Sequence, residues 1–366
     1  MRKKRFLAEW RGSKEKPNFY HCISRVVERR FAFGVEDKEK FRTFMRLYEK
    51  FSGCRVVSYC LMCNHVNLLL EVPPMVEGGL SDAELLERLR VLYSEAFVAE
   101  VAKELADARE VVAQGLADES YVKKIHARFT YRMHNLAEFM KGLLQRFTQW
   151  FNGTHKRTGT LWEDRFKSVI VEDGIAAKTM AAYIDLNPVR AGMVIDPAEY
   201  RWSSYGEAMG GGARGNGKKA RAGLVRALRA HKGYEADASF WNKGVSREYR
   251  MMLLEEGVEQ IEEKVSAAGE TEVKVKKKGM KAQVAAAEMA TLEGSRNVAM
   301  RKMLRLRVRY FTDGVVIGSR AFVEEVFEKS RERFGPKRKD GARKLRGSGS
   351  AAAGVLWSVR DLRMGI

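Results

Sequence analysis

The chain has 366 residues, 45% of them hydrophobic, which is ample for folded cores in one or two domains and excludes a wholly disordered protein. Its 67 Lys and Arg against 47 Asp and Glu leave a formal charge of +20 and a pI near 9.8, so a polyanion is the expected partner. No apolar run reaches the roughly 18 residues of a membrane span and the start MRKKRFLAEWRGSK lacks a signal-peptide core, so a cytoplasmic protein is expected; no Gly-rich Lys-Ser/Thr phosphate loop is present.

The predicted elements begin with a strand over 17–27, a helix near 36–52 and strands near 54–62 and 65–72. Between Pro74 and Asn135, SDAELLERLRVLYSEAFVAEVAKELADAREVV has helical periodicity and mixed charge, and reads as an inserted, solvated helical subdomain at about 75–134. A helix near 135–152 and a strand near 165–171 follow. Asp173 to Arg190 then opens on Asp-Gly, runs through Ala-rich helix formers and must stop near Asn187, because Pro188 disfavours helix before it. This order predicts an α+β fold, an antiparallel sheet with helices packed on it.

Past Tyr205, GEAMGGGARGNGKKARAG reads as a Gly-rich basic linker over 207–221. Residues 222–266 look helical, with Leu224, Leu228, Met251, Leu253 and Ile261 as candidate core positions, and 270–281 reads as a charged hinge. Helices near 282–311 and 319–334 flank Thr312-Asp313-Gly314, a pattern that suits either a helix-turn-helix-like DNA reader or plain two-helix packing. The run from Lys337 to Arg346 is a phosphate-binding or merely solvated tail. Residues 222–366 are thus expected to form a mainly helical, basic, DNA-binding region. Residues 1–200 hold 32 basic and 27 acidic side chains and 201–366 hold 35 and 20, so most nonspecific grip on DNA is expected from the C-terminal half.

Two short motifs carry the candidate chemistry. Arg55 to Val72 breaks at Asn64-His65, as a hairpin would, and side-chain alternation puts His65 and Asn67 on one face, where an imidazole nitrogen and an amide oxygen can reach one ion. In the later helix, Tyr183 and Asn187 lie four apart and share a face, placing a nucleophile beside a further oxygen ligand. The plainer readings are a hydrogen-bonded structural histidine, a core tyrosine and a capping asparagine. Cys60-Leu61-Met62-Cys63 invites a zinc reading, but a second ligand pair at finger spacing is missing and ordinary semi-buried thiols are expected. Arg146, Lys156, Arg157, Arg165 and Lys167 alternate with Trp150, Phe151, Trp162 and Phe166, as side chains that grip phosphates and stack bases would; a core role is the competing reading for the aromatics.

An ordered set of segments resembles the REP-associated tyrosine transposases, the single-tyrosine branch of the HUH endonuclease superfamily. The set comprises Tyr20-His21-Cys22-Ile23-Ser24-Arg25, Cys63-Asn64-His65-Val66-Asn67, Gln145 to Asn152, Gly159 to Ser168, Tyr183 to Gly192 and Tyr200 to Tyr205, and spans roughly 17–206. The resemblance implies a ferredoxin-like catalytic domain over 1–206. It also implies a metal-dependent transposase that cleaves and rejoins single-stranded, hairpin-forming DNA through a 5′-phosphotyrosine at Tyr183. Because a free phenol has a pKa near 10, the tyrosine needs help to act as a nucleophile. Divalent magnesium or manganese is implied at His65, Asn67 and Asn187, with Arg25, Arg146, Lys156, Arg157, Arg165, Lys167 and Arg190 on DNA. The family's second histidine is Asn67 here, which should weaken metal binding and tilt it toward harder ions. A cleavage-impaired, sequence-specific DNA-binding regulator is therefore the alternative. An RNA-binding module on the same sheet is a third reading, opposed by the missing aromatic Gly-Phe-x-Phe strand. Monomer and homodimer both remain open.

Overall fold

A computed structural model describes residues 7–8, 16–75, 77–210, 215–229, 237–257, 260–265, 271–277, 283, 309–312, 314–334, 336, 338–339, 341–345 and 356–360. Its nucleus is β1 (Asn18–Arg25), α1 (Val35–Ser52), β2 (Arg55–Leu61), β3 (His65–Val72), α5 (Leu136–Thr154) and β4 (Lys167–Val171). These strands pair antiparallel in the order β2-β3-β1-β4, the split β-α-β topology of ferredoxin-like folds. Alternation on β1 and β3 sends Tyr20, Cys22, Leu68 and Leu70 into a core under α1 and α5, and Phe19 and Leu69 into a second core on the opposite face. Both faces are covered, so these strands are apolar almost throughout.

Local signals explain the element ends. The Gly34 backbone amide donates to Asp37 Oδ2 at 2.8 Å and opens α1. Gly53 closes it in the left-handed region at φ 74°, where a Cβ would lie 2.6 Å from Arg88 Nη1 and 2.7 Å from His134 Nε2. Between β3 and α5, residues 75–134 form α2 (Asp82–Leu89), α3 (Glu95–Ala113) and α4 (Ser120–Thr130) around Leu85, Leu89, Val101, Leu105, Ile125 and Phe129.

The second face is covered by α6 (Ile175–Asp185), α8 (Ser204–Gly210), α9 (Gly215–Leu228) and α10 (Lys243–Gly257), with α7 (Asn187–Arg190) following α6. The expected linker over 207–221 is therefore corrected: its described residues are helical, and α9 lies on β2. Gly223 is what permits that approach, since a Cβ there would sit 2.5 Å from the Val57 carbonyl oxygen. Glycine content that resembles a linker here serves close helix-strand packing.

The region 222–366 holds more helix than strand among its described residues, but it also carries strands that its sequence did not suggest. β5 (Gln260–Val265) and β6 (Thr271–Lys277) form a hairpin across much of the expected hinge and the end of the expected helix. The short α11 (Arg309–Thr312) leads into β7 (Gly314–Gly318), which pairs parallel with β4 and is followed by α12 (Arg320–Lys329), β8 (Arg343–Lys344) and β9 (Trp357–Arg360). One sheet of order β2-β3-β1-β4-β7-β9-β8 results, and where the pattern around 312–314 suited a turn between two helices, DNA reader or plain packing, the chain enters a buried strand. Gly314-Val315-Val316-Ile317-Gly318 is a short apolar run, which periodicity alone cannot divide between buried helix and buried strand. The expected helix near 282–311 lies almost wholly outside the described residues.

Candidate active site

The register of the sheet gathers the predicted residues. Directly paired antiparallel residues share a face, and Ile23 pairs with both Asn67 and Lys167, Arg25 with His65, and His21 with Leu69. His21, Arg25, His65, Asn67 and Lys167 therefore project from the face that α6 covers. Tyr183, near the C-terminal end of α6 and 3% exposed, meets His21 edge to face at 6.0 Å between ring centroids. Its ring stacks on Phe311 at 4.3 Å and 14°, and the Arg190 guanidinium lies 4.7 Å from its centroid.

His21 is fully buried, and desolvation lowers its pKa to about 4, so at neutral pH it carries one N–H. Nδ1 lies 3.0 Å from the Phe311 carbonyl oxygen, an acceptor only, which assigns that proton to Nδ1. Nε2 is then an acceptor. It lies 3.1 Å from the Asn67 amide terminus, placed there as Oδ1, while Asn67 Nδ2 is buried with no hydrogen-bond partner among the described residues. The oxygen and nitrogen of an amide are told apart by their partners. Turning this one over lets Nδ2 donate to His21 and sends Oδ1 to the position that no protein group satisfies. Beside it on the strand, His65 Nδ1 donates to Asn64 Oδ1 at 2.7 Å, leaving Nε2 as the lone-pair nitrogen. Burial, then the nearby Arg25, lower the His65 pKa to about 4, so it too is neutral.

The donor types of the predicted ligands suit a divalent ion. Neutral His65 offers Nε2 and the turned Asn67 offers an orphaned buried oxygen. Asn187 Nδ2 donates to the Tyr183 and Ile184 carbonyls at 3.2 and 3.0 Å, leaving its Oδ1 without a bond among the described residues. The set is one imidazole and two amide oxygens, and no group of three His, Cys, Asp or Glu suited to a metal occurs among the described residues.

The other predicted residues divide between places. Arg190 Nη1 donates to the Tyr183 carbonyl at 2.8 Å, tying it to the end of the tyrosine helix. Arg146 lies over Phe44 at 5.1 Å on the opposite side of the sheet, Arg157 over Phe151 at 5.7 Å, and Lys156 and Arg165 are exposed. The base-stacking reading of the aromatics is corrected for Phe151 and Phe166, which are buried in the α1/α5 core with Phe147, and for Trp162, whose Nε1 donates to Thr148 Oγ1 at 3.0 Å. Cys60 is a core thiol pushed well above its ordinary pKa by burial, and Cys63 accepts from Lys38 Nζ at 3.4 Å.

Three contributors escaped the sequence reading. Phe311 comes from a distant part of the chain and carries no motif. His21 stood in a matching segment without a role. Asp185, fully buried, has its carboxyl pushed up to about 7 by desolvation despite hydrogen bonds from the Tyr205 amide at 2.9 Å and the Tyr249 hydroxyl at 2.6 Å. An acidic residue amid Ala, Ile and Leu was its only available signal.

The fold and site define a ferredoxin-like α+β protein in which a helix lays a tyrosine against a histidine-bearing strand pair. Residues 17–105, the segment that holds β1, α1, β2 and β3 with His65, match the family model described as Transposase IS200 like. No curated protein and no solved structure matches it.

Proposed function

We propose that this transposase-like protein cleaves and rejoins single-stranded, hairpin-forming DNA through a covalent link to Tyr183. The observation that carries the reading is the convergence of Tyr183 with His21, His65 and Asn67 on one sheet face, from segments over 100 residues apart. In the reaction the Tyr183 oxygen bonds to the scissile phosphorus and the bond to the 3′ oxygen breaks. The phenol proton is lost and the departing oxygen takes one up, leaving a 3′-hydroxyl and a 5′-phosphotyrosine. A later 3′-hydroxyl reverses the exchange, and because one phosphodiester replaces another no ATP is consumed.

The chain's own groups orient these partners. Phe311 and Arg190 fix the Tyr183 ring, while His21 holds the Asn67 amide in one orientation. Arg25 and Lys167, on the same face, are suited to the strand's phosphates. Magnesium or manganese, held by His65, Asn67 and Asn187, would supply Lewis-acid stabilisation of charge on the phosphate.

The test is a covalent protein-DNA adduct on a denaturing gel, from hairpin oligonucleotides with magnesium or manganese. An adduct that Tyr183→Phe abolishes is expected. Tight binding without an adduct, unchanged by Asn67→His, would instead support the cleavage-impaired regulator, a reading favoured by the stacking of Phe311 on Tyr183.

A further inference from the structure

The reaction proposed above leaves an open concave surface unused. Between α8, α9, α10 and the loop after α7 lies an open cleft of about 640 Å³, lined among others by Tyr205, Arg221, Trp241, Lys243, Arg247 and Arg250. All of these residues lie outside the segment 17–105 that matches the family.

Charge and shape in the cleft are one-sided. Asp196 is the sole lining carboxylate among the described residues, and Arg250 engages it with Nη2 2.8 Å from Oδ2. Lys243 and Arg247, one turn apart at the start of α10, are exposed and bond no carboxylate among the described residues. Arg221 donates from Nε to the Ala208 carbonyl at 2.9 Å, leaving its two terminal nitrogens without a bond among the described residues. Partly buried Trp241 lines the same cleft and packs against Tyr249 at 6.4 Å and 62°. A lining that combines an aromatic ring with cations unpaired with any carboxylate among the described residues matches a nucleotide, with a base to stack and phosphates to neutralise. An open cleft suits a passing strand better than an enclosed small molecule.

The cleft is also mechanically joined to the tyrosine helix. The Tyr205 amide and the Tyr249 hydroxyl both bond the carboxyl of Asp185, which lies on α6 with Tyr183. We infer that this cleft binds a nucleotide of the single-stranded DNA outside the cleavage position, its base against Trp241 and its phosphates beside Arg221, Lys243 and Arg247. The inference rests on the single-stranded DNA reading above.

The experiment uses the full chain and a fluorescein-labelled 30-nucleotide single strand, with affinity followed by anisotropy across a salt series. The surface double variant Lys243→Gln with Arg247→Gln should bind about tenfold more weakly near physiological salt, and its log-log salt slope should fall by about 1.4, at about 0.7 per single-strand phosphate contact. Trp241→Phe, which keeps an aromatic face, should bind within about threefold of wild type while losing part of the DNA-induced tryptophan quenching; Trp241→Ala should lose about tenfold or more. Wild-type binding with an unchanged slope and affinity in the double variant overturns the cleft and leaves the Tyr183 reading standing. Wild-type protein that neither binds the strand nor forms an adduct overturns both.

Discussion

Replacing Asp185 with Asn should make stability less dependent on pH, and the structure sets the size of the effect. The carboxyl is fully buried and its pKa is raised from 3.8 to about 7 by desolvation, against the pull of the Tyr205 amide and Tyr249 hydroxyl. A raised folded-state pKa means that the native protein holds the proton more tightly than the unfolded chain. The group's stabilising contribution is complete below 3.8 and is lost as pH rises through about 7. At about 1.4 kcal/mol per pKa unit the full loss is about 4 kcal/mol, of which about 2.5 kcal/mol falls between pH 5 and pH 8. Asn reproduces the neutral acid, with one oxygen to accept from Tyr205 and an amide to donate toward the Tyr249 oxygen. Denaturant unfolding of both proteins at each pH measures the difference, which cancels every other titrating group. Asp185→Asn should gain about 2.5 kcal/mol on wild type between the two pH values. A constant difference across that range would refute the assignment of a protonated Asp185.

Further expectations bear on the site and the fold. His21 and His65 have pKa values lowered to about 4 from 6.5, the opposite sign, so their stabilisation is present above 6.5 and lost as pH falls through about 4. Nitrogen-15 NMR should find His21 neutral at pH 6 as the Nδ1–H tautomer; the Nε2–H tautomer there would reverse the orientation deduced for Asn67. Phe311→Ala should cost about 3–5 kcal/mol as a large buried ring is removed, and should expose Tyr183 to nitration that wild type resists; equal nitration in both would mean that Phe311 does not cover the ring. Gly223→Ala should lose about 1–3 kcal/mol by overpacking, since the new Cβ meets the Val56 and Val57 carbonyls. Unchanged thermal unfolding of that variant would show that α9 does not approach β2 so closely.

The sequence by itself determined the β-α-β-β-α-β nucleus, because each of those segments states its period and its ends. Alternation marks β1 and β3, Pro188 stops the tyrosine helix, and spacing alone places His65 with Asn67 and Tyr183 near Asn187. Local patterns say nothing of what a segment meets across the chain. Tertiary structure alone decided that α9 is a packed helix, that β7 extends the sheet beside β4, and that Trp162 and Phe166 belong to a core. It also brought Phe311 onto Tyr183 and His21 onto Asn67, contacts between residues 128 and 46 positions apart. Burial changes the meaning of a residue type. Desolvation keeps His21 and His65 neutral and raises the carboxyl of Asp185, and only the packed structure shows which side chains water has left.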